Sequence, residues 1–299
     1  MSMSFASASR ALADYRTKGV RNSQDVLEKG LFILQGNGLK KLGDEAPVFL
    51  EQLALAALDL GNLDVADKCI TDLVSQFPGS PRVECLQGMR IEATGRLKEA
   101  LLFYKDILKD DESNAIIWKR QISVLRQLSQ LEDAVKELNT YLDTFYADAE
   151  GWLELADIYA SLNLYPQSLA ALSHALLISP QNPFYVLQYA ETAYTADDVP
   201  LALKMFLRVA EMVGKEEPRE GRRVVGVAHR AWYGVKLCIR RFAQNKNLPS
   251  ASETTPPQHP LLLDELATER LLDAYSSSGD KPGAAAESRS AVLRWLEVK

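Results

Sequence analysis

GWLELADIYASLNLYPQSLAALSHALLISP, from Gly151 to Pro180, reads as two helices folded back on each other. Trp152, Leu155, Ala156 and Tyr159 are spaced 3, 1 and 3 apart, so they share one face of the first helix. Asn163 to Pro166 interrupts that helix. Ser168, Leu172 and Ala175 form the facing stripe of a second one. Pro180 ends it, because proline has no N–H to continue the hydrogen-bond ladder.

The same pattern recurs every 34 residues. Units start at Pro47, Pro81, Ala115, Ala149 and Pro183, with no gap or insertion. The eighth position reads Ala54, Gly88, Ile122, Ala156 and Ala190, and the twentieth reads Ala66, Ala100, Ala134, Ser168 and Ala202. Small residues at these two places let paired helices approach closely. The twenty-fourth position reads Ile70, Tyr104, Leu138, Leu172 and Phe206, and fills the space beside them. Departures occur. Ile122 is large where its equivalents are small, Gln87 and Gln121 stand where Leu155 does, and Glu112 and Tyr146 replace the terminal proline.

The order W-x2-L-x3-Y…A with a period of 34 residues resembles the tetratricopeptide (TPR) repeat family. The resemblance implies an all-α fold: a TPR helix-hairpin solenoid wound as a right-handed superhelix. The expected organisation is three-part. Residues 1–46 supply N-terminal capping helices and 47–216 the five repeats. Residues 217–299 supply a degenerate sixth unit with an insertion at 245–260 and C-terminal helices.

Composition fits a folded chain: 47% of the 299 residues are hydrophobic. The net charge of -6 argues against general nucleic-acid binding, which needs a basic footprint. Cys69, Cys85 and Cys238 are scattered and odd in number, and read as reduced, buried thiols. The N-terminus has no apolar core after a basic start and is not read as a secretory signal. Ile158 to Ala190 lacks Asp, Glu, Lys and Arg, but Pro166, Pro180 and Pro183 break it, so no transmembrane segment is expected there.

Outside the array, Ser7 to Thr17 is a candidate helix. Ser23 reads as the N-cap of a second, whose stripe of Val26, Leu27, Gly30, Leu31 and Leu34 covers the open end of the first repeat. Gly36-Asn37-Gly38 reads as a helix C-terminus rather than a phosphate loop, since no strand precedes it. Beyond Gly214 a longer helix is expected over Arg222 to Gln244. Arg222, His229, Lys236 and Arg240 form a basic face opposite its apolar side. Between Arg219 and Arg241, seven Arg or Lys stand against one Glu, which suits a solvated helix face or a contact with acidic protein or lipid headgroups. Asn245 to Pro260 is polar and proline-rich, and is expected to be irregular or disordered. Leu261 to Tyr275 and Gly283 to Val298 are expected to close the far end as helices.

Catalytic chemistry is not visible. His174, His229 and His259 lack ligand-spaced neighbours, and GxSxG, HExxH and GxxxxGK[ST] are absent. No enzyme activity, cofactor or metal is expected. Trp118, Trp152, Tyr104, Tyr159 and Phe206 fall at packing positions. By analogy with TPR proteins, positions 2, 5, 9, 12 and 13 line the concave side. There Leu55, Leu58, Met89, Lys119, Arg126, Leu153, Leu187 and Tyr194 form a candidate partner-binding groove, mixed apolar and charged. Co-chaperone repeats that hold acidic C-termini use Lys at position 5 and Asn at position 9. Here those pairs read Glu51/Leu55, Cys85/Met89, Lys119/Ser123, Leu153/Asp157 and Leu187/Glu191, so the clamp is absent.

A narrower resemblance rests on KLGDE (Lys41 to Glu45), AALDLGNLDVA (Ala56 to Ala66), QFPGSPRV (Gln76 to Val83) and GMRIEATGR (Gly88 to Arg96). KELNTYLDTF (Lys136 to Phe145), WLELADIY (Trp152 to Tyr159) and QYAETAYT (Gln188 to Thr195) extend it. Together they resemble the second-subunit family of the endoplasmic-reticulum (ER) membrane protein complex, from about Gly30 to Gly214. The resemblance implies a non-enzymatic scaffold on the cytoplasmic side of the ER membrane. It would serve an insertase for transmembrane segments, tail-anchored proteins included. Partners would be the cytosolic parts of the complex's membrane subunits and a paired soluble subunit. The rival reading is a free-standing TPR adaptor or co-chaperone-like peptide receptor. Neither involves nucleic acid.

Overall fold

The computed structural model describes residues 4–35, 38–214, 226–245, 248–275 and 282–296, the side chains of 282–288 apart. The elements are α1 (Phe5–Lys18), α2 (Ser23–Gln35), the short α3 (Leu39–Leu42), α4 (Ala46–Asp59), α5 (Leu63–Gln76), α6 (Pro81–Ala93), α7 (Leu97–Asp110) and α8 (Ala115–Gln127). After these come α9 (Leu131–Thr144), α10 (Ala149–Ser161), α11 (Tyr165–Ile178), α12 (Pro183–Thr195), α13 (Val199–Gly214), α14 (Val227–Gln244), α15 (Pro260–Ala274) and α16 (Pro282–Leu296). No strand occurs among the described residues. The chain forms two compact units, Met1–Tyr141 and Leu142–Lys299.

The repeat is visible in the backbone itself. Second helices begin at Leu63, Leu97, Leu131, Tyr165 and Val199, each 34 residues after the last. The residue that turns the chain between paired helices has positive φ every time: Gly61 (70°), Gly95 (75°), Ser129 (59°), Asn163 (59°) and Asp197 (66°). At four of these turns the next N–H reaches back five residues: Asn62 to Ala57 O (2.8 Å), Gln130 to Leu125 O (3.0 Å), Leu164 to Tyr159 O (2.9 Å) and Asp198 to Ala193 O (3.0 Å). This is the Schellman-type closure that a left-handed residue permits. The sequence points to the left-handed turn only at the two glycines, yet all five units make it.

Connections between repeats are equally regular. Each is a β-turn, closed by Ser80 N–H to Phe77 O (3.3 Å), Asn114 N–H to Asp111 O (3.3 Å), Asp148 N–H to Phe145 O (3.0 Å) and Asn182 N–H to Ser179 O (3.2 Å). The second residue of the turn is Pro78, Glu112, Tyr146 or Pro180. Proline suits that place because its φ is preset. Where proline is missing, an indole takes over. Trp118 Nε1–H donates to Glu112 O (2.8 Å) and Trp152 Nε1–H to Tyr146 O (2.9 Å). The equivalent residues after Pro78 and Pro180 are Glu84 and Val186. Trp118 and Trp152 were expected as core residues, but both are only half-buried, which leaves the indole N–H at the turn.

Inside the hairpins, Ala66, Ala100, Ala134 and Ala202 are fully buried, as their spacing predicts. Ser168, the exception at that position, is buried and donates to Ala156 O (2.8 Å), so its hydroxyl is satisfied. Gly88 has no room for a side chain, because an added Cβ would lie 2.1 Å from the Tyr104 ring. Ile122, large at the same position, is also fully buried, and its repeat carries the smaller Leu138 where Tyr104 stands in the repeat before.

In the first unit, α1 and α2 cover the start of the array. Ala8, Leu12, Val26 and Ile33 share one core with Leu50, Leu53 and Ala54 of α4. The cap of α2 differs from expectation. Asn22 Oδ1 accepts from Asp25 N–H, while the Ser23 hydroxyl donates to Asp59 (2.5 Å). Gly36 and Asn37 lie outside the described residues.

In the second unit, α12, α13 and α14 share a core of Val186, Leu187, Leu203, Phe206, Val235 and Phe242. Residues 248–259 form no helix. They are nonetheless tied down. Asp198, buried at the start of α13, accepts from Ser250 Oγ (2.8 Å), Ser252 N–H (3.0 Å) and Leu201 N–H (3.2 Å). Burial alone would raise the Asp198 pKa. The hydrogen bonds from Ser250, Ser252 and Leu201 outweigh it and hold the carboxyl below its usual range.

Candidate functional site

The expected groove residues fall in both units. In the first, a cleft of about 500 Å³ opens along the first helices of the repeats. It is lined by Val48, Glu51, Leu55 and Asp59 of α4, Arg82 and Met89 of α6, Arg120 of α8, Gly19 to Asn22 between α1 and α2, and Ser23 at the start of α2. Leu55 and Met89 were expected there and are half-buried. Leu58 was expected there too, but it is only 9% exposed and packs in a small core with Ala57 and Ala66. One residue of helical rotation separates it from the open face.

Ion pairs link one first helix to the next. Arg82 Nη2 meets Glu51 at 2.7 and 2.9 Å, and Arg120 meets Glu92 at 2.5 and 3.0 Å. The Tyr104 hydroxyl donates to the same Glu92 (2.6 Å). Burial, reinforced by that bond, pushes the Tyr104 pKa far up. At the N-terminal end Arg21 clasps Asp59 (2.5 and 2.9 Å). The bonds from Arg21 and Ser23 hold the Asp59 carboxyl below its usual pKa against the opposing effect of burial. Arg16 donates to Gln52 (2.9 Å). The sequence pattern missed Arg16, Arg21 and Arg120, since these partners lie far apart in the chain. Lys119 and Arg126 are half-buried on α8, with Lys119 Nζ 6.0 Å over the Tyr141 ring.

In the second unit Leu153 and Tyr194 are half-buried. Leu187 is 2% exposed and belongs to the core between α12 and α14, so its expected place in the groove is corrected. Outside that core, Arg230 of α14 pairs with Glu191 of α12 (2.8 and 2.9 Å), and Arg241 with Asp197 (2.5 Å).

The basic face of α14 is also corrected. Arg222 lies outside the described residues. Lys236 is only 5% exposed, paired with Asp264 (2.6 Å) and donating to Thr268 (2.8 Å), both on α15. Arg240 donates to Trp295 O on α16 and stacks over its ring (4.2 Å). His229 sits between Tyr233 and Tyr275, each 5.0 Å away; its Nε2 is buried, and burial lowers its pKa. The stripe is therefore an internal polar seam, covered by the C-terminal helices. Helical periodicity alone cannot separate a polar face toward water from one toward another helix.

Cys69, Cys85 and Cys238 are free and buried. Burial pushes the Cys69 thiol up to about 11 and Cys238 to about 12, so neither is a thiolate at neutral pH. Among the described residues no group of His, Cys, Asp and Glu is arranged to hold a metal ion. None of the described helices is long and apolar enough to cross a membrane.

Helix hairpins that recur every 34 residues, with small residues buried at the close approach of each pair, define a tetratricopeptide-repeat protein. The solved C-terminal part of a TPR repeat-containing protein from Cytophaga hutchinsonii is similar in fold, with a TM-score of 0.60 at 13% identity, covering 95% of this chain and 98% of that one. Residues 69–204 match the family profile described as the EMC2 TPR-like repeat domain. ER membrane protein complex subunit 2 of Xenopus tropicalis is 37% identical over 287 residues, 95% of this chain and 91% of the relative. The TPR repeat protein oca3 of Schizosaccharomyces pombe is 31% identical over 211 residues, 69% of this chain and 71% of its own length. The chain belongs to the ER membrane protein complex subunit 2 family.

Proposed function

We propose that this chain is a non-enzymatic scaffold subunit of an ER membrane protein complex. It acts on the cytoplasmic side of the membrane and is held there through its partners. The observation that carries the reading is the 37% identity with the frog subunit, sustained over 95% of the chain. The complex would insert transmembrane segments, tail-anchored ones included. The chain would bind the cytosolic parts of its membrane subunits and a soluble paired subunit.

The docking residues would lie on the first-helix side of the repeats within each unit: Leu55, Met89, Lys119 and Arg126 in the first, and, as a separate surface, Leu153 and Tyr194 in the second. Half-buried apolar groups beside charges suit a peptide or subunit segment. Affinity purification of the full chain from a detergent extract tests the reading. A stable set of membrane subunits supports it; recovery of chaperones alone refutes it. The doublet Lys119→Glu with Arg126→Glu is expected to keep its helical circular-dichroism melt and lose the membrane subunits. Full recovery of every partner by a folded doublet would exclude the α8 face.

A further inference from the structure

Three Ser/Thr-Pro pairs occur in the chain: Ser80-Pro81, Ser179-Pro180 and Thr255-Pro256. Their settings differ. Ser80 closes a β-turn through its N–H and accepts from Val83 and Glu84 N–H at the start of α6 (2.9 and 3.0 Å). Ser179 ends α11, its N–H donating to Ala175 O (3.0 Å) and its carbonyl accepting from Asn182 N–H (3.2 Å). Both are half-buried. Thr255 is exposed, lies in no helix, and takes part in no hydrogen bond among the described residues.

Thr255 is also preorganised. A residue before proline is pushed to extended backbone, and Pro256-Pro257 applies this to Thr255 and Pro256 in turn. The segment is moored on either side, by Ser250 and Ser252 on the buried Asp198 and by α15 from Pro260. Pro256 and Pro257, which follow Thr255, line a cleft of about 630 Å³ with Lys236, Arg240 and Asp264, while the threonine itself is not part of that lining.

We propose that Thr255 is a phosphoacceptor for a proline-directed protein kinase, presented by the moored segment without unfolding of any helix. The threonine Oγ1 attacks the γ-phosphorus of ATP, the bond to the β-bridging oxygen breaks, and the hydroxyl proton is lost. The products are phosphothreonine and ADP. Ser80 and Ser179 carry the same local signal but need a helix end to open first.

The test treats the full chain with a proline-directed kinase and ATP, following intact mass and peptide maps over time, beside three synthetic peptides spanning the sites. The peptides calibrate intrinsic preference. Relative to its own peptide, Thr255 in the folded chain is expected to react at least about tenfold faster than Ser80 or Ser179, since a local opening step slows those two. Thr255→Val should remove the dominant modification and leave the melting curve unchanged. Equal normalised rates at all three sites would overturn the proposal. So would a folded-chain rate at Thr255 more than about tenfold below its peptide, because the segment would then need to open as well.

Discussion

The alternation of proline and tryptophan at the connections can be tested by exchanging one for the other. Glu112→Pro places proline where Pro78 and Pro180 stand. The backbone before it is ready: Asp111 has φ -141° and ψ 87°, against -134° and 67° for Phe77 and -133° and 70° for Ser179, both of which precede prolines. No partner for the Glu112 N–H appears among the described backbone bonds, so its loss leaves no bond broken. A compatible proline stabilises by about 0.4–1 kcal/mol, through the unfolded chain's entropy. Trp118→Phe keeps a ring but removes the 2.8 Å bond to Glu112 O, a loss of about 0.5–1.5 kcal/mol. The double variant is therefore expected between about 1.1 kcal/mol less stable and about 0.5 kcal/mol more stable than wild type, given these two opposed contributions. Urea unfolding followed by far-ultraviolet circular dichroism at 25 °C reads all four corners of the cycle. Destabilisation by Glu112→Pro would show that the 111–114 turn is not the turn of 77–80. An unchanged stability in Trp118→Phe would show that the indole does not hold the connection.

Four further outcomes follow from the geometry. Gly88→Ala forces a Cβ into the Tyr104 ring, and overpacking of this kind costs about 1–3 kcal/mol; a wild-type urea midpoint would refute the close approach. Ala134→Leu, at a fully buried position, should lower stability by a similar amount of about 1–3 kcal/mol, and an unchanged melt would reject the 34-residue register. Ser129→Gly relieves a left-handed serine at φ 59° and should gain about 1 kcal/mol in unfolding free energy; a loss would mean that the serine side chain contributes more than the strain. Asp198 has a folded pKa below its unfolded value, so its contribution is present above pH about 4 and fades as pH falls through the folded value. The stability gap between wild type and Asp198→Asn should thus shrink in acid, and a gap that widens between neutral pH and pH about 3 would reverse the assignment.

The helix pairs were legible because burial acts on every repeat alike. Ala66, Ala100, Ala134 and Ala202 answer one geometric demand, so their recurrence every 34 residues reads directly as close helix packing. The turns were half legible. Glycine announces a positive φ, whereas Ser129, Asn163 and Asp197 adopt it under a constraint that lies in the repeat and not in the residue. What stayed illegible was partnership between distant segments. Periodicity places Lys236 and Arg240 on a polar stripe, but only the fold shows that Asp264, Thr268 and Trp295 cover that stripe.

The same limit governs the candidate face. Leu58 and Leu187 have the hydropathy of groove residues and the burial of core residues, and pattern alone cannot separate the two. Arg21 reaches Asp59 from a link that carries no repeat signature. A TPR face is therefore read in two stages. The period supplies the positions that are able to face outward. The ion pairs of Arg82 with Glu51 and Arg120 with Glu92 then decide what kind of surface they make. On α4, α6 and α8 these pairs consume much of the charge that a partner would otherwise meet. Leu55 and Met89 are left as apolar residues of the cleft beside them, and under the proposed docking role a partner segment would gain most by burying those two.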